Sequence, residues 1–211
     1  APVRALSLVK LSANWMAAAG EPGEDAALFD TVRAVALDLC PALGVSIPVG
    51  KDSMAMRTAW EDRGAGAGVV SPVSLSVSAF APCDDVRDTW TPQLRTDAGA
   101  TELILIDLAG GRRRLGGSIL AQVFNETGDE APDLDDPAAI RGLFDALAAL
   151  RPGGRVLAYH DRSDGGLFVT LCEMAFAGRA GVIIDADALC ATDDELAAAL
   201  FAEELGAVIQ V

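Results

Sequence analysis

Strand-like and helix-like patterns alternate along both halves of this chain, and a single shift of composition, from Pro82 to Pro92, separates the halves. Alternation of this kind restricts the fold to layered α+β or α/β architectures. Between Pro82 and Pro92, acids, proline and threonine replace the apolar periodicity, so the reading places a domain boundary near residue 90. The two parts are then 1–89 and 90–211, and 211 residues suffice for two small cores.

In the first part, Leu6 to Leu11 is an apolar run that predicts a strand, leading into a loop from Ser12 to Met16. Glu24 and Asp25 open a helix, with acid at the positive end of its dipole. Leu28, Val32, Val35 and Leu39 follow at helical spacing and predict a buried stripe. Pro41 and Gly44 end that helix. Val45 to Val49 predicts a buried strand, followed by a turn at Gly50-Lys51-Asp52-Ser53. Arg63 to Gly68 predicts a hairpin loop. Val73, Leu75, Val77 and Ala79 alternate with Ser74, Ser76 and Ser78, the pattern of a half-buried strand.

In the second part, Glu102 to Leu108 predicts a strand. A glycine- and arginine-rich loop, Gly110 to Gly117, leads to a helix from Ser118. Asp135 or Asp136 caps another helix, with Ile140, Leu143, Phe144 and Leu147 facing inward. Arg155 to Tyr159 predicts a strand, Leu167 to Phe176 a helix and Val182 to Ile184 a strand. Thr192 and Glu195 form a capping box. Gly206 to Val211 predicts a last strand, exposed as an edge and a liability for solubility in the isolated chain.

Composition excludes several function classes. The chain carries 16 Lys and Arg against 31 Asp and Glu, a net charge of −15. A nucleic-acid partner needs clustered cations and is not expected. No apolar run approaches the ~20 residues of a membrane span, so no membrane partner is expected. Neither a signal peptide nor an initiator Met is visible, and both ends read as cut from a longer polypeptide. Cys40, Cys83, Cys172 and Cys190 have no CxxC spacing, and His160 is the only histidine. Zinc therefore finds few ligands, and a reducing, cytoplasmic setting fits. One histidine without a spaced nucleophile also argues against a hydrolytic triad.

Four segments carry possible chemistry. Gly50-Lys51-Asp52-Ser53 combines a close-approach glycine, a cation, a carboxylate and a hydroxyl, which suits a phosphate contact or an ordinary connection. It lacks the first glycine of a Walker loop, since Val45 stands there. His160-Asp161-Arg162-Ser163-Asp164-Gly165-Gly166 lies between strand and helix. There Asp161 and Asp164 suit Mg²⁺, Ser163 suits a phosphate or base, and the glycines open a helix N-terminus to an anion; the equal alternative is a helix cap, with Ser163 or Asp164 serving the backbone and His160 half-buried. The loop Gly110 to Gly117 lines a phosphate site or forms an exposed basic turn, with packing the favoured role for its glycines. In Ser12-Ala-Asn-Trp-Met16, Trp15 and Met16 read as core, and Asn14 as either core or contact.

Together these segments resemble one family. They are Leu11-Ser-Ala-Asn-Trp-Met-Ala-Ala-Ala-Gly20, Pro22-Gly-Glu-Asp25, Leu39-Cys-Pro-Ala-Leu-Gly44, Ile47-Pro-Val-Gly-Lys-Asp-Ser-Met54, Leu115-Gly-Gly-Ser118, His160-Asp-Arg-Ser-Asp-Gly-Gly-Leu167 and Glu173-Met-Ala-Phe-Ala-Gly178. In this order they resemble the large, single-chain phosphoribosylformylglycinamidine synthases. That family has two aminoimidazole-ribonucleotide-synthetase-like units and a glutaminase domain. The resemblance implies most of the smaller α+β domain of the second unit, followed by the first part of its α/β partner domain. Its implied partners are the rest of that polypeptide and small-molecule substrates.

The implied activity is that of an ATP- and glutamine-dependent ligase of purine biosynthesis, converting formylglycinamide ribonucleotide (FGAR) to formylglycinamidine ribonucleotide. The implied cofactors are Mg²⁺ and ATP or ADP. By the same resemblance Asp161 is a metal ligand and Ser163 a nucleotide contact, in a site that is auxiliary rather than catalytic. Gly50, Lys51 and Ser53 are implied nucleotide or substrate contacts. Lys51 replaces an Asn of the short form of the enzyme, and an ammonium cannot ligate metal, so phosphate is its implied partner. A non-catalytic, nucleotide-binding structural module of the same superfamily is the alternative.

Overall fold

The computed structural model describes residues 1–185, 189–190 and 192–211. Its contacts divide the chain into two compact units, Pro2–Val86 and Arg87–Val211 with Ala1. The architecture is mixed α and β, as the alternating patterns predict.

The first unit is built on a three-stranded sheet. Strand β1 (Lys10–Met16) is central, between β2 (Ser46–Ser53), which runs parallel to it, and β5 (Ser74–Phe80), which runs antiparallel. Strands β3 (Arg57–Asp62) and β4 (Ala65–Val70) form a separate hairpin. The strand therefore begins where the sequence pattern predicts its end, and Ser12 to Met16 are strand rather than loop. Ser12, Asn14 and Met16 alternate with buried Ala13 and Trp15, so a small polar alternation hides the strand from a search for apolar runs.

Helix α1 (Glu24–Arg33) opens on Glu24 and Asp25, as predicted. The predicted buried stripe fails: no residue of α1 is buried, and Val32 is 37% exposed. A π-helical stretch, Ala34–Leu39, follows, and α2 (Cys40–Leu43) completes the rod. Pro41 sits inside the rod instead of ending it. Having no N–H, it cannot bond the Leu37 carbonyl, and Cys40 donates one residue further back, to Val35. The wide turn rotates the later positions, so that Cys40 and Leu43 are buried and Leu39 only partly. Gly44, with φ of 72°, ends the helix as a left-handed cap.

The predicted buried strand from Val45 to Val49 is also corrected. It lies at the sheet edge, paired on one side only, and Val49 is 62% exposed. It continues through Gly50 to Ser53, which are strand residues and not a turn.

The second unit holds the sheet order β6-β8-β7, with β6 (Leu103–Asp107), β7 (Ala158–Asp161) and β8 (Gly206–Gln210). Strand β8 is antiparallel to both neighbours and is the central strand, so the predicted exposed edge is wrong. Its side chains from Ala207 to Gln210 are buried. Helix α5 (Gly166–Gly178) packs on this sheet, and Leu94, Ala158, Leu167, Leu171, Met174 and Val208 form the core. Gln210 pins the preceding segment: its side-chain oxygen accepts from Arg95 N at 2.8 Å and its amide donates to Arg95 O at 2.8 Å.

Helix α3 (Ile119–Val123) starts behind Ser118, whose hydroxyl accepts from Ala121 N, and α4 (Pro137–Leu150) starts behind Asp136. Thr192 accepts from Glu195 N at 3.3 Å ahead of α6 (Asp193–Phe201). Among the described residues, Val182 to Ile184 pair with no strand: Val182 packs on the core while Ile183 is fully exposed.

Candidate functional site

In the second unit the C-terminal ends of β6 and β7 and the start of β8 converge, because β8 runs antiparallel to both. Asp107 closes β6, Asp161 closes β7 and Gly206 opens β8. The segment from Arg162 to Gly165 then leads into α5. Asp161 and Ser163 are both exposed there, with the intervening Arg162 turned inward and buried.

Arg162 joins the converging ends. Its Nε donates to Glu204 O at 2.5 Å, and one terminal nitrogen donates to Asp107 Oδ1 at 2.5 Å and Leu205 O at 3.0 Å. Glu204 is wholly buried and receives Arg114 three times: from its backbone N at 2.9 Å, its Nε at 2.7 Å and a terminal nitrogen at 2.8 Å. Burial pushes the Glu204 carboxyl up, but Arg114 outweighs it and holds the group below the usual carboxylate range. Burial likewise pushes Asp107 up, and hydrogen bonds from Gly111 N and Arg162 hold it below that range.

In the loop Gly110 to Gly117 the three arginines already have protein partners, although Arg112 and Arg113 remain exposed. Arg114 is buried on Glu204, Arg112 pairs with Asp135 at 3.1 Å, and Arg113 donates to the Leu189 carbonyl. Packing accounts for Gly116, where a Cβ would lie 2.4 Å from the Glu130 backbone.

The start of α5 is spoken for as well. Gly165 donates its N–H to Glu203 Oε1 at 2.7 Å, and Ile119 donates to the same oxygen at 2.8 Å. Gly166 has φ of 67°, and a Cβ there would meet Leu200 O at 2.7 Å. Gly165 is the N-cap of α5, but neither Ser163 nor Asp164 caps the helix with its side chain, and the acceptor is Glu203. His160 Nε2 lies 2.6 Å from Glu173 Oε2, and its Nδ1 is 3.9 Å from Asp161 Oδ1. Asp161 keeps 69% of its side chain exposed. No group of three or more metal-ligating side chains occurs among the described residues.

Gly50, Lys51 and Ser53 belong to the first unit. Lys51 lies opposite Asn14, and Ser53 opposite Met16, in the parallel β1–β2 pair. On the far side of β1, Asn14 faces Ser76, so Ser76, Asn14 and Lys51 share one sheet face. The Asn14 Oδ1 atom is buried without a donor. Gly50 has a packing role: a Cβ would stand 2.3 Å from Ala13 O. Trp15 is buried, as predicted.

Sequence reasoning missed Glu203, Glu204, Arg162, Asp107 and Arg114 as the framework of the sheet end. The available signal was Glu203-Glu204 just ahead of a largely apolar strand, where charges are retained only if paired.

These features define a protein with aminoimidazole-ribonucleotide (AIR) synthase-like architecture. Residues 102–211, more than half of the chain, match the AIR synthase related protein, C-terminal domain, and the chain belongs to that family. Residues 1–82 match the FGAR-AT PurM_N-like domain. Among solved structures, E. coli HypE, a hydrogenase maturation protein, is 19% identical with a TM-score of 0.60, over 96% of this chain and 58% of that one. Thermotoga maritima PurL complexed with FGAR is 16% identical with a TM-score of 0.59, over 98% of this chain and 32% of that one. PurLQS from Thermotoga maritima is 14% identical with a TM-score of 0.56, over 96% and 29%. These likenesses show a shared fold. The chain spans less than two thirds of each of these structures. No helix among the described residues is long and apolar enough to cross a membrane.

Proposed function

We propose that this chain is part of the second AIR-synthetase-like unit of a large phosphoribosylformylglycinamidine synthase, an ATP- and glutamine-dependent ligase acting on FGAR. The observation that carries this reading is the pairing of its two family matches, an FGAR-AT type N-terminal domain followed by an AIR synthase C-terminal domain. HypE is as similar in fold, but the match over residues 1–82 favours the FGAR amidotransferase. The domain division in this reading is 1–89 and 90–211.

In this role Asp161 holds Mg²⁺ and Ser163 contacts the nucleotide. The donor chemistry fits. Mg²⁺ takes oxygen ligands and is commonly held by one or two carboxylates together with phosphate oxygens. Asp161 offers a carboxylate, 69% exposed, at a strand end. When bound, the metal supplies charge compensation for the phosphates. Ser163 supplies a hydroxyl two residues on. In the first unit, Gly50, Lys51 and Ser53 contact phosphate or substrate, with Gly50 also permitting the close strand pairing beneath them. The orphaned Asn14 Oδ1 beside Lys51 suits a ligand that offers a hydrogen-bond donor.

The test uses the full-length protein. Purified protein, denatured and analysed for released nucleotide, should yield bound ADP or ATP. Glutamine-dependent ADP formation should require FGAR. Asp161→Ala should abolish nucleotide retention. If turnover then persists, the site is structural and the alternative of a non-catalytic nucleotide module holds for this unit. Absence of FGAR-dependent turnover in the unaltered protein would overturn the proposal.

A further inference from the structure

The dipeptide Glu203-Glu204 lies between α6 and β8, and its two side chains reach two different loops. One oxygen of Glu203 accepts from Ile119 N at the start of α3 and from Gly165 N at the start of α5. Glu204 receives Arg114 from the glycine–arginine loop, and its backbone carbonyl receives Arg162 from the loop that bears Asp161 and Ser163. Asp107 closes the circuit, accepting from Arg162 and from Gly111 N. Two loops distant in sequence are therefore fastened to the same two residues.

We propose that Glu203 is a positioning residue that locks the loop from Asp161 to Gly165 to the loop from Gly110 to Ser118, so that the ligand contacts of the first depend on the second. The inference rests on the nucleotide reading above for its functional half. Glu203 touches no ligand in this scheme. Its carboxylate occupies the amide of Gly165 that would otherwise meet an anion, which leaves Asp161 and Ser163 to make the contacts. Both hydrogen bonds end on one oxygen, so an amide side chain of the same length preserves the geometry, and a shorter carboxylate does not reach both amides.

Hydrogen exchange on the full-length protein tests the coupling. Glu203→Ala should raise amide exchange at least tenfold in both 115–119 and 163–166, and leave the amides of β8 within threefold of their original rates. Glu203→Gln should return both segments to near the unaltered rates. Nucleotide affinity should fall about tenfold in Glu203→Ala, the equivalent of a lost hydrogen bond, and recover in Glu203→Gln. Faster exchange in one segment only, in neither, or equally throughout the sheet overturns the proposal. So does a Glu203→Gln protein that exchanges like Glu203→Ala. If the alanine variant fails to fold, Glu203→Asp serves under the same criteria. An unaltered protein that binds no nucleotide overturns the function proposed above, while the exchange result still decides the coupling.

Discussion

Gly50 and Glu204 illustrate two ways in which a single residue is constrained here. At Gly50 the constraint is steric, because β1 approaches so closely that a Cβ would lie 2.3 Å from Ala13 O. Gly50→Ala should therefore destabilise the first unit by about 1–3 kcal/mol, as overpacking does. The midpoint of urea unfolding checks this. At Glu204 the constraint is electrostatic. Removing one partner of a buried pair strands the other, so Glu204→Leu should lower the unfolding free energy by roughly 3 kcal/mol or more. Calorimetry of the full-length protein provides the comparison. The sequence pointed to Gly50 for ligand approach, and the packing need was invisible because Ala13 is distant in the chain and was itself read as loop.

Helix starts were the most legible elements. Ser118, Asp136 and Thr192 all cap the helices that follow them, since a cap is a local arrangement whose donor and acceptor lie within three residues. Thr192→Ala should cost about 1 kcal/mol. Ser118→Ala should cost more, because Ser118 is wholly buried and also donates to Leu115 O at 2.7 Å. Chemical denaturation of each variant measures the difference. Where elements met distant partners, local pattern misled. The stripe Leu28, Val32, Val35 and Leu39 assumes an unbroken α-helical turn, and the π-helical stretch Ala34–Leu39 interrupts it. The stretch Val45 to Val49 reads as a buried strand but lies at an edge. Asp161 and Ser163 were legible as a strand-to-helix loop. The acids and arginines that hold this loop were not, because each pairs across tens of residues.

At the scale of the molecule, the buried charges predict how the fold responds to acid. Glu204 and Asp107 both ionise more readily in the folded protein than in the open chain. The unfolded chain thus binds more protons at acid pH. The stability these groups supply is complete above the ordinary carboxylate values near ~4 and is lost as the pH falls through their lower folded values. Unfolding free energy should drop steeply below about pH 4, and Glu204→Gln should flatten that slope. A pH series of thermal unfolding tests it, and an unchanged slope counts against the network.

The central place of β8 also bears on synthesis. Leu103 pairs with Gln210 and Ala158 pairs with the same residue, so both outer strands take their partners from a strand made after them. While the ribosome is still translating the region before Gly206, β6 and β7 have been synthesised but have nothing between them. Local helices form in that interval, and the sheet closes late, through contacts of long sequence separation. The nascent second unit therefore waits with two strands unpaired, and the interval before β8 emerges is when chaperone protection matters most.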